Sequence, residues 1–188
     1  MAVTTWNIDT AHTDVLFSAK HMMVTTVRGT FADVSGTIRL DEENPSASTG
    51  EFTVAVASLN TGVEQRDGHL RSADFFDVEN HPNATFTSTK VEARGGNDYT
   101  VTGDLTIRGT TRPVTLDVEL LGFYTGMSGA RRVGFHATGK INREDFGLNW
   151  NVALETGGWL VGKDIKLEFD LAIEQAEAAK AEGQTRVA

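Results

Sequence analysis

Three stretches of this chain alternate apolar and polar residues without a fault: 99–107 (Tyr-Thr-Val-Thr-Gly-Asp-Leu-Thr-Ile), 114–120 (Val-Thr-Leu-Asp-Val-Glu-Leu) and 165–173 (Ile-Lys-Leu-Glu-Phe-Asp-Leu-Ala-Ile). Successive side chains of a strand point to opposite faces, so a period of two marks a sheet with one face buried. Weaker runs keep the same period at Val15-Phe17-Ala19-His21, Val34-Gly36-Ile38-Leu40, Phe52-Val54-Val56, around Phe86, and at Val133-Phe135-Ala137-Gly139-Ile141. That makes eight strand candidates. The links between them are short and rich in turn residues, as at 94–98, 108–113 and 125–129, and links of that kind join antiparallel neighbours.

The pattern lapses from Ser58 to Pro82. Here Thr61-Gly62-Val63-Glu64 reads as a capping box, in which the Thr61 hydroxyl takes the Glu64 amide and Glu64 reaches back. A helix through about Leu70 follows, with Val63, Asp67 and Leu70 on one face. A second short turn over 72–77 carries Phe75 and Phe76. One insertion of this size, about 61–77, cannot cover a whole sheet, so the inward faces of eight strands must cover one another. The fold class is therefore all-β, as a closed barrel or a two-sheet sandwich. Strands this evenly spaced suit an eight-stranded antiparallel barrel, because closure removes unpaired edges.

A chain of 188 residues fits one domain. The reading assigns residues 1–174 to the barrel and 175–188 to a frayed or disordered tail, since the Ala, Glu and Lys of that tail form no apolar stripe. The chain has no cysteine, which removes thiol nucleophiles and Cys-ligated metals. With 17 basic against 26 acidic residues and a net charge of -9, no nucleic-acid partner is expected, because phosphate-backbone binding needs a basic stripe. No integral membrane segment is expected either: apolar runs are as short as Met22-Met23-Val24, far below the ~20 residues a spanning helix needs. The N-terminus lacks a basic n-region and an apolar h-region, so the expected location is cytoplasmic as given, and periplasmic or secreted if a leader was removed.

An eight-stranded barrel either fills with side chains or holds one small ligand. Inward parity places Ala19, Gly36, Gly103, Ala137 and Gly139 between larger residues. They either leave room in the lumen or serve as bends that let the strands coil; as a set they favour a cavity. The expected wall is Phe17, Ala19, Val54, Val56, Leu105, Phe135, Phe169 and Leu171, with Phe75 and Phe76 at the mouth as plug or lid. His21 shares the parity of Phe17 and should point inward, where an unpaired polar group is costly. Either a neighbour satisfies it or it meets the polar head of a ligand.

Chemical motifs are few. Gly126-Met127-Ser128-Gly129 lies between strands and is no nucleophile elbow, and the glycine motifs that bind nucleotide phosphates are missing. No cofactor and no metal are assigned, although a fold could bring His21, His69 and His81 together. Asp67 with His69 could form an acid–base pair, or the two could be a solvated helix face plus a capping contact.

Read in order, His12-Thr13, Phe17, Lys20-His21, Arg28-Gly29-x-Phe31, Ser58-Leu59-Asn60-Thr61 and Arg66-Asp67-x-His69-Leu70-x-Ser72-x-Asp74-Phe75-Phe76-Asp77 resemble the YceI-like family. So do Gly103-x-Leu105-Thr106-Ile107-x-Gly109-x-Thr111-x-Pro113-Val114, Arg143-x-Asp145-Phe146-Gly147 and Val161-Gly162. The likeness runs from about Trp6 to Ile173. It implies an extended lipocalin-like barrel with a long apolar tunnel, a bacterial source, and binding, storage or transport of a polyisoprenoid or another long-chain amphiphile. It also allows a homodimer. The expected function is thus a non-enzymatic carrier. The alternatives are a cavity enzyme using His21 or the Asp67–His69 pair, and a stress-related interaction module with a filled core.

Overall fold

The computed structural model describes residues 3–176; the tail from 177 on lies outside the described residues. Eleven strand segments join in one antiparallel sheet: β1 (Thr4–Ile8), β2 (Asp14–His21), β3 (Thr25–Phe31), β4 (Val34–Leu40), β5 (Thr49–Ala55), β6 (Leu59–Asn60), β7 (Asn83–Gly95), β8 (Asp98–Ile107), β9 (Thr110–Thr125), β10 (Arg131–Asn142) and β11 (Val161–Gln175). Among the described residues there is one α-helix, α1, which spans Glu64–Arg71. It is too short and too polar to cross a membrane, as a span needs ~20 apolar residues.

The sheet order is β1-β4-β5-β7-β8-β9-β10-β11, and β1 pairs again with β11 to close the ring. Eleven segments make eight staves because three staves are interrupted. β1 and β2 lie along the same edge of β11, with Ile8 opposite Ile173 and Asp14 opposite Asp170. β4 and β3 continue that pattern on β1 and β2, and β5 and β6 continue it on β4 and β3. Each of the eight alternating runs in the sequence falls on a different stave. The barrel expectation holds, and the last strand reaches Gln175, one residue past the expected domain end.

The ladder has one gap. β5 pairs with β7 from Glu51 to Ala55, but among the described residues no ladder joins β6 to β7. The chain leaves the sheet at a 3-10 turn, Val56–Ser58, and the insertion of residues 61–82 fills the opening. Its hinge is a backbone bond from the Val56 amide to Pro82 O at 2.8 Å.

The insertion is held differently from the expected capping box. The N-cap is Val63 and makes no side-chain cap bond. Thr61 instead gives its amide (2.9 Å) and its hydroxyl (2.5 Å) to the Asp67 carboxylate. Gly62, which follows Thr61, takes a φ of +82°, in the left-handed region that favours glycine. Asp67 is buried, so it does not lie on a solvated helix face, while the contact at the helix start that goes with that reading is present in its bonds from Thr61.

Two apolar clusters mark the two ends. Trp6, Leu40, Val133 and Ile173 pack at one, with Ile8, Ile38, Leu120 and Phe135 against them. Phe75, Val114, Phe146 and Leu148 pack toward the helix end, with Leu70, Phe76, Ile141 and Trp150 among their neighbours.

The β2–β3 hairpin closes through a turn in which the Val24 amide donates to His21 O at 3.1 Å. Met22 and Met23 have φ of 51° and 63°, the left-handed pair of a type I′ turn, which favours Asn-Gly. Left-handed backbone costs a residue with a Cβ roughly 1–2 kcal/mol. The double substitution Met22→Asn with Met23→Gly is therefore expected to raise the melting temperature by several degrees, read by thermal unfolding. An unchanged or lower value would show that the methionine contacts outweigh the strain.

Candidate functional site: an apolar lumen in two chambers

The lumen holds two cavities. One, of about 310 Å³, lies toward the Trp6 end, walled by Ile38, Phe52, Phe86, Val101, Leu116, Phe135 and Leu171 among others. The second, of about 710 Å³, lies at the helix end, walled by Phe17, Ala19, Phe31, Leu70, Ile107, Trp150 and Ile165 among others. Val15, Val54, Ala84, Leu105, Leu167 and Phe169 border both, so the chambers meet end to end. Each volume falls in the range of small-molecule sites, about 300–1,000 Å³.

The space arises from how rings lie on glycines. A Cβ on Gly29 would stand 2.3 Å from Phe17 Cζ, one on Gly103 2.4 Å from Phe86 Cζ, and one on Gly36 2.7 Å from Phe52 Cδ1; at Gly139 the intruder is Leu116 Cδ2 at 2.5 Å. Gly29 faces Phe17 across β2 and β3, and Gly36 faces Phe52 across β4 and β5. These glycines are thus neither empty space nor simple bends. Each lets a large neighbour lie flat against the wall instead of standing in the lumen. The two small residues with a Cβ do border space: Ala19 lines the helix-end chamber and Ala137 the other.

The sequence-derived wall is mostly in place. Val54, Leu105 and Phe169 border both chambers; Phe17, Ala19, His21, Phe75 and Phe76 border the helix-end chamber, and Phe135 and Leu171 the other. Val56 is the exception. The alternation suggests that it continues the strand, but the chain has already turned out of the ladder there, and Val56 is buried outside both linings. Phe75 is a packed part of the floor, with its ring centroid 5.1 Å from His69 and 5.5 Å from Trp150. Phe76 stands edge-on to Phe31 at 6.0 Å.

Several lining residues were not singled out from the sequence. Phe52, Phe86 and Leu116 lie on alternating runs and were recoverable from parity. Trp150 follows the 3-10 turn Arg143–Phe146 in an irregular segment where no periodicity exists. Arg143 stands in a motif of the family resemblance, yet nothing local announces that it is buried. It is 3% exposed, and its guanidinium donates to the carbonyls of Gly162 (3.0 Å), Trp150 (3.0 Å), Leu148 and Val161 (3.4 Å). Burial pushes its pKa below the ordinary arginine value. It pins the irregular segment 148–162 beneath the barrel.

The Asp67–His69 pair is not assembled. Asp67 is engaged by Thr61, and His69 Nε2 lies 2.9 Å from Asp74. His21 lines the helix-end chamber, and its imidazole has no hydrogen-bond partner among the described residues. His21, His69 and His81 do not form a metal cluster. Among the described residues the ligand-type side chains that converge within 4.8 Å are His136, Glu168 and Asp170, on the outer wall where β10 faces β11.

A barrel of eight antiparallel staves around an apolar lumen defines a lipocalin-like protein. The YceI-like domain matches residues 6–173. The chain is 40% identical over 167 residues to a UPF0312 protein of Staphylococcus epidermidis, covering 88% of this chain and 95% of that one. BcnA of Burkholderia cenocepacia superposes with a TM-score of 0.77 at 27% identity, covering 88% of this chain and 98% of that one. A polyisoprenoid binding domain from Saccharophagus degradans superposes with a TM-score of 0.66 at 18% identity, covering 92% and 99%. The chain belongs to the YceI-like family.

Two predictions follow from the wall. Gly29→Ala drives a Cβ into the Phe17 ring and is expected to cost about 1–3 kcal/mol, the usual penalty of overpacking. In a double-mutant cycle with Phe17→Leu the two losses should be strongly less than additive; additivity would show that the ring does not rest on the glycine. On the outer wall the hydrogen bond that the His136 imidazole donates to the Asp170 carboxylate raises the His136 pKa above its ordinary value of 6.5. The stabilising share of this pair is complete below that value and is lost as pH climbs through the raised one. The melting-temperature gap between wild type and His136→Gln should therefore shrink on going from acidic to mildly alkaline buffer, and a constant gap would contradict the pairing.

Proposed function

We propose that the protein is a carrier that sequesters one long-chain amphiphile, with a polyisoprenoid as the leading class, and that the two chambers act as one tunnel for its chain. The observation that carries this reading is the pair of apolar cavities sharing six wall residues. A single extended chain could thread both. The name of the S. degradans domain points to the same ligand class. Burial of apolar area supplies about 25 cal/mol per Å², or ~0.8 kcal/mol per methylene, so affinity should climb steeply with chain length until the tunnel is full. The separation of Asp67 from His69 favours a carrier over an acid–base enzyme, and the open lumen favours it over a module with a filled core.

Native mass spectrometry of freshly purified protein, followed by solvent extraction, tests the reading. A stoichiometric mass increment from a long apolar chain is expected. A bare polypeptide mass that stays bare after incubation with lipid extract would overturn it. The tunnel itself is tested by Ala84→Phe, which places a ring where the chambers meet. This variant should bind short chains as wild type does while losing the gain in affinity for long ones; an unchanged length profile would mean that the ligand occupies one chamber alone.

A further inference from the structure

The tip of the β2–β3 hairpin and the irregular loop beside it form one exposed apolar patch. The Met22 amide donates to Leu160 O at 2.8 Å, and the Leu160 amide to Val152 O at 2.9 Å. Ala153 faces Trp159 across a bridge, and Met23 lies against Gly158, where a Cβ would stand 3.2 Å from Met23 Cγ. These contacts gather Met22, Met23, Val24, Val152 and Trp159 at the helix end of the barrel, and all five are between 46% and 77% exposed. Large apolar side chains grouped together and left in water mark an interaction surface.

The backbone holds these side chains out at a cost. Met22 and Met23 take φ of 51° and 63°, a region that residues with a Cβ avoid and in which Asn-Gly would turn the chain without strain. Strain kept at an exposed tip points to a role for its side chains outside the fold. Methionine is flexible and polarizable, which suits a partner with no fixed shape. Trp159 is of the residue type that settles at the boundary between lipid and water.

Charge favours the same partner. Residues 15–31 and 148–162, which build the patch, contain Lys20 and Arg28, both exposed, against one carboxylate, Glu155. The whole chain has 26 acidic residues and a net charge of -9, so an anionic surface repels its other faces and admits this one. The patch also adjoins the lumen, since His21, just before Met22, and Leu160 border the helix-end chamber.

We propose that this tip is a membrane-docking surface. Met22, Met23, Val24 and Trp159 insert among the head groups of a bilayer containing anionic lipid, with Lys20 and Arg28 at the level of the phosphates. The proposal rests on the carrier reading above and adds to it the mode of exchange, which is collision with a membrane and not release through water. An apolar chain that leaves into water exposes its whole length; from a docked barrel it passes between two apolar phases.

Co-sedimentation with vesicles of phosphatidylcholine and phosphatidylglycerol tests the docking. The protein is expected to bind, and brominated lipid to quench its fluorescence. Trp159→Phe should remove that quenching, because Trp6 is fully buried and Trp150 is packed in the cluster under the barrel. Met22→Asn with Met23→Gly relieves the turn and keeps the fold, yet should weaken vesicle binding at least about tenfold, since burial of one such side chain is worth that much. Val24→Asp should weaken it likewise. Both variants should still take up a pyrene-labelled long-chain fatty acid, read by native mass spectrometry. Transfer of this probe between vesicles should quicken in proportion to the concentration of acceptor vesicles. Uptake of the probe without vesicle binding, or with a transfer rate independent of acceptor concentration, would overturn the docking and leave the carrier reading standing. Vesicle binding undiminished in both variants, or quenching that persists in Trp159→Phe, would overturn it by placing the contact elsewhere. A dimer that the methionine double variant dissolves, in a protein that ignores vesicles, would overturn it in favour of a second copy of this chain. Failure to take up the probe at all would overturn the carrier reading and the docking together.

Discussion

The lumen depends on large side chains lying flat over glycines of the neighbouring stave. An eight-stranded barrel is narrow enough to be filled by its own side chains, and this one is rich in phenylalanine. Phe17 over Gly29, Phe52 over Gly36 and Phe86 over Gly103 put the rings within distances that no Cβ would permit. Rings held against the wall keep their apolar area facing the lumen while yielding its centre. The cost is that strands carrying interior glycines are individually weak, and the closed ladder compensates by leaving no edge except where the insertion sits.

The two ends of the barrel are built on different physics. At the Trp6 end the ring of ladders is complete, and Trp6 is fully buried with its indole N–H donated to Thr4 Oγ1 at 2.8 Å. Arg131 lies over Trp6 and Phe123 at 5.5 and 4.7 Å and holds Glu42, so apolar packing, cation–π contact and an ion pair meet there. At the helix end no ladder joins β6 to β7 among the described residues, and side chains do its work: Asp67 ties the helix back to Thr61, next after β6, Arg71 reaches the carbonyls of Ala57 and Leu59, and Arg108 bridges Phe75 O and Gly147 O. Closure by side chains rather than by backbone ladders makes this the end where local opening costs least. A path for a ligand into the lumen is best sought there.

The alternating strands were the most legible part of the molecule. Residues 99–107, 114–120 and 165–173 could be placed on staves because their inward positions hold large apolar groups. β3 does not declare itself, since Gly29 occupies one of its inward positions and glycine is silent in a pattern of hydrophobicity; the ring that covers it, Phe17, belongs to β2. β1 is five residues long, too short for a period to declare itself. Val56 shows the opposite failure, where a continuing pattern hides a turn made by backbone geometry. His21 was correctly turned inward by parity alone. Arg66 and Arg143 were missed as lining because the period of two says nothing about a helix, a 3-10 turn or a side chain that reaches back under the sheet.

The central claim is that one apolar chain occupies both chambers. A high-resolution crystal structure of the protein purified without detergent tests it most directly. The account predicts unbroken, elongated density from between Phe52 and Phe86, past Ala84 and Phe169, to the neighbourhood of His21 and Arg66, with the rings flat on their glycines. Rings swung inward to fill the lumen, with no density between them, would contradict it.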